Sequence, residues 1–309
     1  MGILVLTTPI PSAAYVDAVR EFAGEIPVWT EHDTPVPEEV EAILAWRMPR
    51  GVLPRYPNLR VLSSIGAGVD ALLTTPDLPP EVVVTRVVDP AQAVEIAQFV
   101  VAGALHFTRD LATYVAQQAR GQWRRLPVRP MSHCRVGVMG LGRVGQAIAK
   151  AFLPLGYPVA GWSRSPQAVD GVEVFSGPEG LARFVGQTDI LVCALPLTAQ
   201  TRGMLNRALL AKLPAGAMVV NVGRGEHLVE ADLRALLDGG HVAAAVLDVF
   251  EQEPVPADNW VWSHPKVLAT PHIASSPGKR FVAEQCVDAL RRARLGLPQP
   301  QAVDRSAGY

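Results

Sequence analysis

Cysteine, charge imbalance and long apolar runs are all scarce in this chain, and each scarcity removes a class of function. The three cysteines, Cys134, Cys193 and Cys286, are an odd and scattered set. They offer neither a disulfide framework nor a CxxC metal site, so they are expected to be small core residues, and no metal is expected. Lys and Arg number 28 against 29 Asp and Glu, a formal net charge of −1. Without a basic stripe, neither nucleic acid nor an anionic membrane is expected as a partner. Any positive charge for a small anionic substrate must therefore be local. No Lys or Arg precedes the short apolar start MGILVLTTPIPSA, which is expected to open as a β-strand rather than as a signal peptide. No stretch of about 18 continuous apolar residues is available to span a membrane. These features point to a soluble protein of a reducing compartment, the cytoplasm. Short-period repeats and low-complexity segments are missing too.

What is present is 309 residues, 49% hydrophobic and 18% charged, enough to bury a sizeable core in about two domains. Short β-branched runs alternate with helical patterns. Residues 2–6, 28–30, 42–46, 59–63 and 82–85 are expected as strands, with a helix over 12–23 for which Ser12 is the N-cap. A long apolar helix is expected over 91–119. A second alternating block follows, with strands at 135–139, 158–162, 172–175, 190–194, 218–221, 242–248 and 267–269. A last helix at 278–295 either caps that block or returns to the first. The alternation predicts an α/β protein of parallel sheets with helices on their faces.

Directly after the strand at 135–139 stands Gly140-Leu141-Gly142-Arg143-Val144-Gly145. In this spacing the first glycine allows a tight turn, the second lets backbone approach a pyrophosphate, and the third lets helix pack on strand. The pyrophosphate then meets free N–H groups at a helix N-terminus. The motif has the strand–turn–helix context that dinucleotide binding requires. The next strand ends in Ser163-Arg164-Ser165, with no acidic residue to hold a ribose 2′-hydroxyl; Arg164 lies 19 positions past Gly145. A guanidinium between hydroxyls suits a 2′-phosphate, so NADP(H) is expected in preference to NAD(H), which stays possible.

Three polar clusters interrupt apolar strand ends: 221–225 (NVGRG), 248–254 (DVFEQEP) and 271–275 (PHIAS). Arg224, Glu253 and His272 follow strands whose carboxyl ends line the crevice of a doubly wound sheet. The trio suits reduction of a 2-keto acid, because hydride arriving at C2 leaves negative charge on the carbonyl oxygen. His272 is the natural proton donor, Glu253 would favour and orient its imidazolium, and Arg224 can grip carboxylate and carbonyl oxygen. In the first block, 63–70 (SSIGAGVD) supplies a second glycine-rich turn. Its backbone N–H groups could form an anion nest for a carboxylate.

Taken together, GAGVD at 66–70, GLGRVG at 140–145, NVGRG, DVFEQEP and PHIAS resemble the D-isomer-specific 2-hydroxyacid dehydrogenase family, in order and spacing, over nearly the whole chain. The resemblance implies that Arg224 binds substrate, that His272 is the acid/base with Glu253 as its partner, and that the amides of Gly66, Ala67 and Gly68 meet the substrate carboxylate. It also implies that Asp248 lies near the nicotinamide carboxamide, that Val222 and Ala274 flank the ring, and that Leu195 and Pro196 run along the cofactor. The expected architecture is two doubly wound parallel-sheet domains with the active site in the cleft between them. One is a flavodoxin-like substrate domain, 1–89 plus 275–309, and the other a Rossmann cofactor domain, 90–274. The helix at 91–119 and the arm at 122–130 would serve a homodimer. Trp162 to Ser165, the terminal 303–309 and Trp46, which would border a small substrate pocket, look most like the bacterial A-type glyoxylate/hydroxypyruvate reductases. The leading expectation is NADPH-dependent reduction of glyoxylate to glycolate and hydroxypyruvate to D-glycerate. Another keto acid such as phenylpyruvate is the enzymatic alternative. A nicotinamide-sensing binding protein is the alternative of another class, although such a sensor has no use for a proton donor.

Overall fold

The computed structural model describes residues 1–127 and 130–305. Parts of the expected arm at 122–130 and of the terminal motif at 303–309 fall outside the described residues. The chain opens with β1 (Gly2–Leu6), α1 (Ala13–Ala23), β2 (Val28–Thr30), β3 (Val40–Ala45), β4 (Val61–Ser64), α2 (Asp70–Leu73) and β5 (Val83–Thr85). It continues through α3 (Pro90–Thr108), α4 (Leu111–Ala119), β6 (Val136–Met139), α5 (Arg143–Phe152), β7 (Val159–Ser163), β8 (Glu173–Ser176), α6 (Gly177–Val185) and β9 (Ile190–Cys193). It closes with α7 (Arg207–Leu210), β10 (Ala217–Asn221), α8 (Glu230–Asp238), β11 (Val242–Leu247), β12 (Val267–Ala269) and α9 (Lys279–Arg294). Among the described residues, no helix is long and apolar enough to cross a membrane.

Two compact units result, one from residues 1–90 with 276–309 and the other from residues 91–275. The first holds a five-stranded sheet in the order β2-β1-β3-β4-β5, every neighbouring pair parallel. This is the flavodoxin-like order, which reverses direction between β1 and β3. Side chains alternate between faces along each strand. Ile3 and Val5 pack with Val16 and Val19 of α1 and with Val282, Cys286 and Leu290 of α9, while Leu4 and Ile43 face Leu53, Leu62 and Leu72. The last helix thus returns to the first block. Glu41, buried on β3, is held by Arg60 and by Arg294 of α9. The final described segment pairs with the sheet edge, where Val303 N–H donates to Val84 O and Arg86 N–H to Gln301 O.

The second unit is built on seven parallel strands in the order β12-β11-β10-β9-β6-β7-β8. That order reverses between β6 and β9, the place where open α/β sheets bind ligands. One face buries Val136 and Val138 against Ala97, Val100 and Ala104 of α3 and Ile148 and Phe152 of α5. The other buries Met139 and Leu191 against Phe184 of α6, Leu210 of α7 and Leu233 and Leu237 of α8. Strands covered on both faces need continuous apolar runs rather than alternation, and ILVC and AMVVN provide them.

Two local expectations fail. The helix at 91–119 is two helices, α3 and α4, because Asp110 adopts a left-handed φ of 54°. A short polar side chain tolerates that conformation better than most. Ser12 does not cap α1: its own backbone is helical and its hydroxyl is hydrogen-bonded to Glu31 Oε1 at 3.0 Å.

Candidate active site

Because every strand of the second sheet is parallel, its carboxyl ends share one edge, and the polar clusters of the sequence lie there. The turn after β6 carries the glycine motif. Gly140 takes a φ of 92°, and its N–H donates to Trp162 O. A Cβ on Gly145 would lie 1.7 Å from Gly140 O, whereas one on Gly142 would meet nothing within 4 Å. The third glycine therefore lets α5 approach its own turn, and the second faces open space. The first-turn N–H groups of α5 have no intrahelical carbonyl to bond, so a phosphate fits there. The Leu141 side chain is buried against Gly161, which confines any cofactor contact of this residue to its backbone. Arg143, the first residue of α5, is exposed, and Val144 is half-buried.

At the end of β7, the Ser163 hydroxyl donates to Ser165 O at 2.7 Å and fixes the loop on which Arg164 stands exposed. Two strands away from β7, the loop after β9 runs through Leu195 and Pro196. The Pro196 carbonyl accepts from the Thr201 hydroxyl at 2.7 Å and from His227 Nε2 at 3.2 Å. Val222 N–H donates to Cys193 O. Cys193 itself is buried, and burial pushes its thiol up to about 12, so it is an inert thiol at neutral pH.

Strands β10, β11 and β12 are neighbours, and each delivers one member of the expected trio. Asn221, fully buried at the end of β10, donates from Nδ2 to Arg224 O at 2.9 Å and accepts from Gly223 N–H at 3.2 Å. The Arg224 guanidinium donates to Gly223 O at 2.7 Å. A Cβ on Gly225 would sit 1.8 Å from the Phe250 carbonyl carbon, so a glycine is needed where the arginine loop backs onto the loop bearing Glu253.

Glu253 accepts from Phe250 N–H through Oε1 at 3.0 Å and from His272 Nδ1 through Oε2 at 2.9 Å. Burial pushes its carboxyl up. His272, the Phe250 amide and the Arg224 guanidinium outweigh that effect and hold it below the usual carboxylate range. An ionised Glu253 fixes the proton on Nδ1, leaving Nε2 to exchange a proton with a substrate.

His272 has a left-handed φ of 56°, a strained conformation for a residue with a side chain. Asp248, itself buried, supplies the constraint. Its carboxylate accepts from the Thr270 hydroxyl at 2.6 Å, from Ile273 N–H at 2.8 Å and from Ala274 N–H at 2.8 Å. Its backbone carbonyl accepts His272 N–H at 2.9 Å. Asp248 thus fastens the whole turn that presents the imidazole, a task its spacing in the sequence does not reveal.

In the first unit, Trp46 follows β3 and the turn at 66–68 follows the adjacent β4. The Trp46 ring lies over the turn: a Cβ on Gly66 would come within 3.1 Å of its Cζ3. Gly66 N–H donates to Ser64 Oγ at 3.1 Å, while the Ser64 hydroxyl donates to Gly68 O at 2.9 Å, so this hydroxyl braces the turn from within. Asn221 and Ser64, inside the motifs, and His227, two residues past one, are buried polar residues to which the motifs assign no role, and their place was the available signal; half-buried Thr201 lies outside the motifs and carried none.

Comparisons with known proteins point to one family. The family model for the NAD binding domain of D-isomer specific 2-hydroxyacid dehydrogenases matches residues 101–274. Glyoxylate/hydroxypyruvate reductase A from Yersinia enterocolitica is 36% identical over 288 residues, covering 91% of this chain and 90% of its own. Among solved structures, a D-isomer specific 2-hydroxyacid dehydrogenase from Xanthobacter autotrophicus in complex with NADPH and MES superposes with a TM-score of 0.91 at 40% identity, covering 100% of this chain and 99% of that one. The NADPH-dependent glyoxylate/hydroxypyruvate reductase from Sinorhizobium meliloti, in complex with NADP and sulfate, gives a TM-score of 0.91 at 34% identity with 100% of both chains covered.

Proposed function

The chain belongs to the D-isomer specific 2-hydroxyacid dehydrogenase family, and from that premise we propose that it reduces glyoxylate to glycolate and hydroxypyruvate to D-glycerate with NADPH. The observation that carries the reading is the His272–Glu253 pair at 2.9 Å, on strand ends beside Arg224 and on the same sheet edge as the glycine turn. A dinucleotide-binding sensor has no use for a histidine strained into place with its proton fixed by a carboxylate.

NADPH, when bound, supplies the hydride that reaches C2 of the keto acid. The α5 N-terminus with Gly140, Gly142, Arg143, Val144 and Gly145 takes the pyrophosphate, and Ser163, Arg164 and Ser165 take the 2′-phosphate. Leu195, Pro196, Val222, Asp248 and Ala274 border the nicotinamide half. Arg224 binds the substrate carboxylate and carbonyl oxygen. In the first unit, the amides of Gly66, Ala67 and Gly68 are the proposed donors to a carboxylate, and Trp46, whose ring lies over that turn, the proposed limit on side-chain size. As negative charge grows on the carbonyl oxygen, His272 gives it a proton from Nε2, and Glu253 holds the ring in place through Nδ1.

The test is NADPH oxidation across keto acids of increasing size. Glyoxylate and hydroxypyruvate are expected to lead, and a preference for phenylpyruvate would overturn the substrate assignment. In the same assay Arg164→Ala is expected to lower kcat/KM for NADPH about 10- to 100-fold, the worth of a charge-assisted contact, while leaving NADH nearly unaffected. Equal loss with both cofactors would remove Arg164 from the 2′-phosphate.

A homodimer accounts for the large apolar side chains left exposed on the second unit, among them Val94, Val115 and Trp123, the last 93% exposed. Such surface is uncommon on a monomer. A monomeric mass by light scattering would refute the dimer. The cytoplasm is the proposed compartment, since all three cysteines are buried and carry no disulfide; recovery of the native protein from an oxidising compartment would contradict it.

A further inference from the structure

His227 ends the 3₁₀ turn Gly225–His227, three residues after Arg224, and is fully buried. Its two ring nitrogens face different parts of the site. Arg224 N–H lies 3.0 Å from Nδ1, and Pro196 O lies 3.2 Å from Nε2. Nδ1 also lies 3.0 Å from Arg224 O, so in either tautomer Nδ1 is bonded to the Arg224 backbone while Nε2 faces Pro196 O. Burial pushes the imidazole below its usual value, and the nearby Arg224 charge adds to this, outweighing the hydrogen bonds and the Glu226 charge that act the other way. The ring is therefore neutral at neutral pH. The loop geometry is shaped around it: a Cβ on Gly223 would stand 3.1 Å from the ring and 3.1 Å from Leu195 O.

We propose that His227 is a positioning residue that ties the backbone of Arg224 to the Pro196 segment, setting the substrate-binding guanidinium and the cofactor-binding loop in one register. The inference rests on the roles assigned above to Arg224 and to Leu195 and Pro196. His227 touches neither substrate nor cofactor; it acts through the two segments that do. Thr201 also supports the Pro196 carbonyl, at 2.7 Å, whereas the imidazole reaches both segments. Here both bonds end on segments with separate assigned ligands.

That separation makes the two bonds testable one at a time. In His227→Asn the amide oxygen stands near the place of Nδ1 and keeps the Arg224 N–H bond, but the side chain stops short of Pro196. In His227→Gln the amide nitrogen reaches the place of Nε2 and keeps the Pro196 bond, without an acceptor set for Arg224. The Asn variant is expected to raise the KM for NADPH about five- to tenfold, the effect of one hydrogen bond, with the KM for glyoxylate within roughly twofold of the parent. The Gln variant is expected to show the opposite split, and His227→Ala to raise both constants.

Thermal midpoints are recorded alongside. A lowered midpoint with both constants unchanged in all three variants would leave His227 a structural residue and overturn the inference. Equal rises in both constants for Asn and Gln would overturn it too, because a common distortion does not distinguish the bonds. Should the alanine variant fail to fold, the Asn and Gln pair decides the question alone. Arg224→Ala, run in parallel, separates the two levels of the claim. An unchanged glyoxylate KM there sinks the assignment of Arg224 itself, whereas a raised KM there with unchanged constants in the His227 variants sinks only the positioning role.

Discussion

Replacing His272 with alanine is expected to slow NADPH-dependent turnover about 10²–10⁴-fold, the range for loss of a general acid, while NADPH binding stays close to the parent. The expectation follows from where the imidazole sits. Asp248 holds the turn through three side-chain hydrogen bonds, so removing the ring leaves the backbone of Ile273 and Ala274 in place. Glu253 keeps its bond to Phe250 N–H. Stopped-flow fluorescence of bound NADPH, read beside steady-state rates, checks both halves. Turnover within tenfold of the parent would remove His272 as proton donor. The partner carboxylate has its own pH signature. Its folded value is held below the usual carboxylate range, so an ionised Glu253 stabilises the fold at neutral pH. That contribution is fully present above the ordinary value of about 4.3 and fades only as pH falls through the lower folded value. Glu253→Gln is accordingly expected to be less stable than the parent at neutral pH, with the gap closing in acid.

Arg224→Ala is expected to act on binding and chemistry together. One guanidinium is asked both to hold a carboxylate and to meet charge growing on the carbonyl oxygen. Its loss should raise the keto-acid KM and reduce kcat by about 10²–10³-fold, as for removal of an oxyanion donor. A rise in KM with kcat intact would restrict Arg224 to uniform binding. Arg224→Lys tests the geometry: it restores charge but not the planar fork, and should recover only part of the loss. Asn221 holds the Arg224 carbonyl and His227 its amide, so losing the side chain costs the loop backbone the guanidinium's bond to Gly223 O and leaves these two anchors in place. Stability should change little, which keeps the kinetic reading clean.

The strands were legible because parallel sheets covered on both faces need continuous β-branched and apolar runs, and those runs appear in the sequence wherever a strand forms. The motif residues were legible for a different reason. Gly140, Gly145 and Gly225 are imposed by contacts that admit no Cβ, and such constraints leave a mark at fixed spacing. What did not show were interactions fixed only by three-dimensional neighbours. Nothing near Asp110 announces a left-handed break in a helical pattern, because aspartate is also an ordinary helix-surface residue. Ser12 had the right type for a cap, but Glu31, far away in the chain, took its hydroxyl. Ser64 braces the turn at 66–68 through the Gly66 amide and the Gly68 carbonyl, a local bond that the glycine spacing does not announce. The backbone-holding work of Asp248, which opens one motif, and of His227, just past another, did not show either, since it is done on residues that come close only in the fold.

The proton donor, its carboxylate and the guanidinium all ride on three adjacent strand ends of one unit, bound together through Asn221 and Asp248. Heritable change can therefore fall unequally on the protein. Substitutions in the other unit, such as those around Trp46, leave these strand ends unaltered, so under the proposed roles the accepted keto acid changes while the proton supply is inherited intact. A lineage built this way can diversify its diet of substrates without reinventing its chemistry.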